Sequence, residues 1–286
     1  TKKYANARAF VVDGTIYHNA GAGDVAELAW EIATAVEYVR ALVDQGVTAE
    51  DAFDAINFRV TATHDEFLTI SRLRALRFMW NRIGEVFEVP EAKRGARQHA
   101  VSSWRELTRD DPYINILRGT IATFSAAVGG AEAITTLPFD AAIGLPKNQF
   151  TRRIARNTGI ILSEESNIAR ANDPAGGSFY AESLTKTLAE AAWKKFQAIE
   201  EAGGMAKFLA DGNVSKELEP INAERAKRLA NRKQPITAIS EYPKLGARTV
   251  EAKPFPPAPV RHGLAWHRDS EVFENLVDRA NKAEQK

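Results

Sequence analysis

The sequence predicts an α/β fold: part of a (β/α) barrel, followed by helices and a Pro-rich linker. Three observations carry this. In the first half, short apolar runs alternate with longer segments whose apolar residues recur at helical spacing, the signature of parallel β/α units. No GxGxxG or GxxxxGK[ST] loop follows any of these runs, which weighs against a nucleotide-binding doubly wound sheet. Beyond residue 150 the pattern turns mostly helical and reaches KPFPPAP at residues 253–259, an extended, semi-rigid stretch. The units could be half of a doubly wound sheet or half of an eight-fold barrel, and the barrel is preferred. Since so few units cannot close a barrel, either a missing front or a partner is expected to supply the rest.

Residues 8–14 (RAFVVDG) form the first expected strand. Asp24, with Glu27 three residues on, is the candidate N-cap of a helix whose apolar face is Val25, Leu28, Ile32, Val36, Val39 and Val43, stopping at Gly46. A short helix over 48–55 leads into a second strand at 56–62 (INFRVTA), and 67–80 carries another helical stripe. A third strand is expected at 99–104 and a helix at 112–128, with Pro112 in its first turn and Gly129-Gly130 as its stop. AITTLP at 133–138 is the fourth strand. Helices follow at 149–167, 183–202 and 222–232, then a short strand at 236–240 (ITAIS) and a last helix at 269–286. The expected division is a barrel domain over 1–242, a linker over 243–268 and the start of a C-terminal helical segment over 269–286.

Composition narrows the function classes. With 38 Lys+Arg against 37 Asp+Glu, no global field recruits nucleic acid or an acidic membrane surface. The absence of Cys excludes disulfides, a thiolate nucleophile and Cys-ligated metal sites within these residues. No apolar run approaches the ~18 residues of a membrane span and no signal-type apolar core opens the chain, so a cytoplasmic location is expected.

Several constellations have bland readings that suffice. His18, His64, His99, His262 and His267 lack HxxxH or HExxH spacing, so no metal site is expected. Glu164-Glu165 and Asn172-Asp173 fit solvated helix and turn positions, and Gly176-Gly177 fits a tight turn. Arg225, Lys227, Arg228, Arg232 and Lys233 have no interleaved aromatics and suit a solvated or partner-facing surface.

Three segments carry a resemblance: DPYINILRGTIATFSAAVGG (111–130), FTRRIARNTGIILSEESNIARANDPAGGSFYAESLT (150–185) and EEAGGMAKF (200–208). They resemble the acyl-CoA mutase family built around methylmalonyl-CoA mutase, and with the flanking units the likeness covers about residues 8–240. It implies the rear part of a (β/α)8 TIM barrel that threads acyl-CoA along its axis, with cobalamin held elsewhere through a DxHxxG motif absent here. Catalytic members follow the first of these strands with Gly-Tyr-His-Met-Gln-Glu-Ala-Gly. Aligned on Gly14 and Ala20-Gly21, the Tyr-His pair becomes Thr15-Ile16, and isoleucine cannot hydrogen-bond a thioester carbonyl. A two-residue gap would instead restore Tyr17-His18.

In the second strand, the CoA-gripping Arg and Ser fall on Ala55 and Asn57. At the third, Arg97 and His99 are kept while Val101 replaces Gln; at the fourth, Ser-Leu-His-Thr-Asn becomes Ala133, Ile134, Thr135, Thr136 and Leu137. Such losses, with helix motifs intact, imply a non-catalytic structural subunit that pairs with a homologous large catalytic subunit as a heterodimer, the adenosylcobalamin residing in that partner. The alternative is a divergent catalytic chain that binds acyl-CoA in the barrel through His18 and His99.

Overall fold

The computed structural model describes residues 7–143, 148–244 and 263–284. Its strands β1 (Phe10–Asp13), β2 (Ile56–Ala62), β3 (Gln98–Ser102) and β4 (Ala133–Thr135) form one parallel sheet in sequence order. Parallel neighbours need a crossover. Helices α1 (Thr15–Asn19), α2 (Asp24–Asp44) and α3 (Ala49–Ala55) join β1 to β2, α4 (Glu66–Val86) joins β2 to β3, and α5 (Ile114–Val128) joins β3 to β4. Then come α6 (Gln149–Ile160), α7 (Phe179–Glu201), α8 (Met205–Ala210), α9 (Asn213–Ala230) and α10 (Glu271–Glu284).

Alternation along β2 shows how the sheet is used. Ile56, Phe58, Val60 and Ala62 enter the main core, so Asn57, Arg59 and Thr61 point to the opposite face. Trp80 of α4 stacks on Phe53 of α3 at 4.1 Å between ring centroids and meets Phe58 edge-on at 5.1 Å, which fastens both helices to the sheet. Leu188, Ala192, Phe196 and Ile199 of α7 close the same core over α2 and α4. The opposite face is bare toward its outer strands, where Val11 is 48 % exposed and Ala133 and Thr135 are also exposed, while Thr61 and Val101 of the central strands are buried. Parallel sheets are ordinarily covered on both faces, so this one presents a surface that wants a cover.

Four expectations are corrected. ITAIS is not a strand: three successive N–H groups, of Ile239, Ser240 and Glu241, donate to the Ile236 carbonyl, and Ala238 has φ +70°. Local turn bonds satisfy this backbone, and only an isolated bridge, Thr237 to Glu241, remains. Asp24 is the first helical residue and Gly23 the N-cap; no capping box forms, because Glu27 turns into the core. Helix α9 begins at Asn213, well before residue 222, directly after Gly212 in the left-handed region, and it carries Pro220 inside it. The helix expected over 149–167 ends at Ile160 and widens over Ile161–Glu165, where Ser166 N–H reaches back to the Ile161 carbonyl. The Pro-rich residues 253–259 and His262 lie outside the described residues. From Gly263 onward the chain packs against the fold: Leu264 is in the main core, His267 N–H donates to the Asn19 carbonyl at 3.0 Å, and Trp266 lies against Trp104.

Candidate functional site: the strand ends and the bare sheet face

In parallel β/α folds, chemistry collects where strands end and helices begin. Here those turns hold a dense buried network. His18 of α1 is 1 % exposed; its Nδ1 lies 3.2 Å from Glu27 Oε2 and its Nε2 lies 2.8 Å from Ser103 Oγ. Arg72 of α4 donates to Glu27 at 2.6 Å and to Asp24 at 3.4 Å. Arg105 donates to the carbonyls of His18 and Ala22, at 2.7 and 3.0 Å. Arg225 of α9 donates to the Gly21 carbonyl at 2.8 Å, so this member of the basic helix faces inward and not toward solvent or a partner. On the outer side of the turns, His64 pairs with Glu106 at 2.9 Å, linking the loop after β2 to the loop after β3.

Ser103, His18 and Glu27 stand in the order nucleophile, base, orienting carboxylate. No substrate can reach them, since Ser103 is 4 % and Glu27 0 % exposed. Burial lowers the His18 imidazole well below its ordinary value, and the Arg105 and Arg72 charges lower it further. His18 is therefore a neutral bridge between α2 and the loop after β3. Glu27 is pushed up by burial and pulled back by Arg72, while Arg72, which burial disfavours, is held charged by Glu27 and Asp24.

The bare sheet face carries a second polar set. The register places Asp13 beside Arg59, Arg59 beside His99, His99 beside Ala133, and Val101 beside Thr135. Arg59 pairs with Asp13 at 3.4 Å, and His99 Nε2 lies 2.8 Å from Thr135 Oγ1. Of the residues predicted from the sequence, Asn57, His99, Val101 and Thr135 share this face. The others lie elsewhere. Thr15 is buried, its N–H donating to Asp13 Oδ1 at 3.0 Å, and Ile16 packs against the main core. Ala55 is buried at the end of α3. Leu137 packs against the small cluster of Leu107, Ala141 and Ala142, its N–H donating to Ser102 Oγ at 2.8 Å. Sequence reasoning missed Asp13, Arg59, Glu27, Glu31, Arg72 and Arg105; the available signal was a charge inside an apolar strand, FRV, and charges inside helical apolar stripes. Among the described residues no group of three or more His, Asp or Glu could hold a metal ion, and no helix is long and apolar enough to cross a membrane.

Gly14 shows how tightly the turn after β1 is built. Its φ of −70° is open to any residue, yet an added Cβ would stand 1.6 Å from Glu31 Oε1. Gly14→Ala is therefore expected to destabilise the protein by about 1–3 kcal/mol through overpacking, read from urea unfolding midpoints. An unchanged midpoint would show that Glu31 yields freely.

Residues 1–266 match the family model for methylmalonyl-CoA mutase. Over 281 residues the chain is 69% identical to the methylmalonyl-CoA mutase small subunit of Propionibacterium freudenreichii subsp. shermanii, covering 98% of this chain and 44% of that protein. It is 50% identical to the methylmalonyl-CoA mutase small subunit of Streptomyces virginiae over 98% of this chain and 45% of that protein. The methylmalonyl-CoA mutase of Escherichia coli (strain K12) is 37% identical over 79% of this chain and 32% of its own length. The chain thus spans a little under half the length of these small-subunit relatives. On this match, which takes in both the sheet and the helices around it, the chain belongs to the methylmalonyl-CoA mutase family.

Proposed function

We propose that the chain is part of the small, non-catalytic subunit of a heterodimeric methylmalonyl-CoA mutase, whose homologous large subunit interconverts methylmalonyl-CoA and succinyl-CoA. One observation carries the reading: the charged and titratable groups on this sheet face are turned to one another. Asp13 pairs with Arg59 and His99 with Thr135, which favours a face that is not built to hold a CoA chain. A parallel sheet covered by helices on one face only is what the rear part of a (β/α)8 TIM barrel would contribute, its bare face turned to the axis. Thr15, Ile16, Ala55, Asn57, Val101, Thr135 and Leu137 then stand where catalytic members carry substrate or CoA contacts. The alternative, a catalytic chain using His18 and His99, gains nothing from a His18 that is buried with both nitrogens engaged.

The family's chemistry depends on cobalamin. Three of the four described histidines, His18, His64 and His99, are each bonded to a protein side chain, and the segment carrying His267 lies against the turn after α1 and the loop after β3, which supports placing that cofactor elsewhere. We assign adenosylcobalamin to the partner and a cytoplasmic setting to the assembly. The barrel domain is taken as 1–242, and the Pro-rich residues 253–259 as a strap against the partner.

Co-expression of the full-length chain with the large subunit tests the proposal. The two are expected to co-elute through an interface above roughly 2,000 Å², and the small chain alone is expected to show neither CoA binding nor turnover with added adenosylcobalamin. Separate elution, or turnover by the small chain alone, overturns it.

A further inference from the structure

Two carboxyl groups lie fully buried one turn apart on α2. Glu27 is answered on two sides, by Arg72 at 2.6 Å and by His18 at 3.2 Å. Glu31, 1 % exposed, has no hydrogen-bond partner at either oxygen, and its carboxyl rests against Gly14, in the space a side chain there would need. The groups that face it are Asp13 on β1, Tyr17 on α1, Glu27 on its own helix and Arg72 on α4, while His18 of α1 faces Glu27. From α7, Lys195 reaches the Trp30 ring but is paired with Glu217. On α3 and α8, the remaining helices against α2, Glu50 and Asp51 are exposed, Asp54 pairs with Arg8 and Arg97, and Lys207 pairs with Asp211. Arg105 also acts on Glu27, but Arg72 is the one cation in this set that acts on Glu31, and it is bonded to Glu27 and Asp24. A second carboxylate would be a buried charge without a counter-charge, a state that proteins avoid by neutralisation.

We infer that Glu31 enters the fold as an uncharged carboxylic acid and that, packed on Gly14, it forms a proton-operated latch holding α2 against the turn after β1. If Glu31 ionises, its carboxylate lies beside Asp13 and Glu27 and can be hydrated only by leaving Gly14. That frees the turn carrying Thr15–Asn19, and with it the Ala20 and Ala22 carbonyls held by Asn222 and Arg105. Burial, then the Glu27 and Asp13 charges, push this carboxyl well above the usual carboxylate range, with only Arg72 opposing. The sign follows: the folded chain keeps a proton that the unfolded chain has released, so the latch weakens as pH rises from the ordinary glutamate value toward the folded one.

Two measurements on the full-length protein test this. Infrared spectra at neutral pH should show a protonated-carboxyl C=O band that Glu31→Gln removes. Urea unfolding between roughly pH 6 and 10 should show the wild-type unfolding constant rising against that of Glu31→Gln by up to about tenfold per pH unit, until Glu31 ionises in the fold. Absence of the band in the wild type, its persistence in Glu31→Gln, or parallel pH profiles would overturn the latch. Should Glu31→Gln fail to fold, the wild-type band and the near-isosteric apolar Glu31→Met decide by the same criteria.

Discussion

Arg72→Met is expected to cost about 3–5 kcal/mol at neutral pH, the price of leaving one member of a buried ion pair alone. The guanidinium is almost fully buried and is the one full charge bonded to Glu27, since His18 is neutral. Without it, Glu27 must either take up a proton or keep an uncompensated charge at zero exposure. The loss should therefore shrink as pH falls and Glu27 protonates in both folded and unfolded chains. Adding Glu27→Gln to Arg72→Met should restore much of the stability, because both charges then vanish together. Urea unfolding of the two single variants and the double variant measures the coupling. If the double variant is as unstable as the sum of the singles, Arg72 and Glu27 act independently and the network does not hold α2 to α4.

How much of this was legible in the sequence differs by level. The second strand was expected at 56–62 and is observed at Ile56–Ala62, because β-branched and aromatic residues alternate there and Thr48 caps the short helix before it. Helices α2 and α4 were legible from their stripes and the end of α5 from Gly129-Gly130, as was the parallel α/β class. What could not be read was the use made of individual charges. Glu27, Glu31 and Arg72 sit on helices where any charge is ordinarily read as surface, and only the pairing of α2 with α4 and the turn after β1 makes them a buried set. Arg59 lay inside an expected strand, but its partner Asp13 is 46 residues away and is found only through the β1–β2 register. ITAIS misled for the opposite reason: its composition favours a strand, but turn bonds to one carbonyl satisfy its backbone without a neighbour.

The same logic at the outer edge of the strand ends gives the second large effect: Glu106→Gln is expected to lose about 3 kcal/mol near neutral pH. Burial alone would raise the Glu106 carboxyl, but the charge and hydrogen bond of His64, with Arg105 nearby, override it and hold it at about 2. Glu106 Oε2 also accepts the His64 backbone N–H at 3.1 Å, so the carboxylate ties the loop after β2 to the loop after β3 by two bonds. For a depressed acid, the stabilisation is present above the ordinary glutamate value and is lost as pH falls toward about 2. His64 runs the other way: Glu106 raises it, so its share is present below the ordinary histidine value and fades as pH climbs through the raised one. The stability difference between wild type and Glu106→Gln should therefore form a plateau that falls on both the acid and the alkaline side. Denaturant unfolding at a series of pH values reads it directly, and a difference that stays constant into the alkaline range would mean that Glu106 owes its position to Arg105 and the backbone, with His64 contributing nothing.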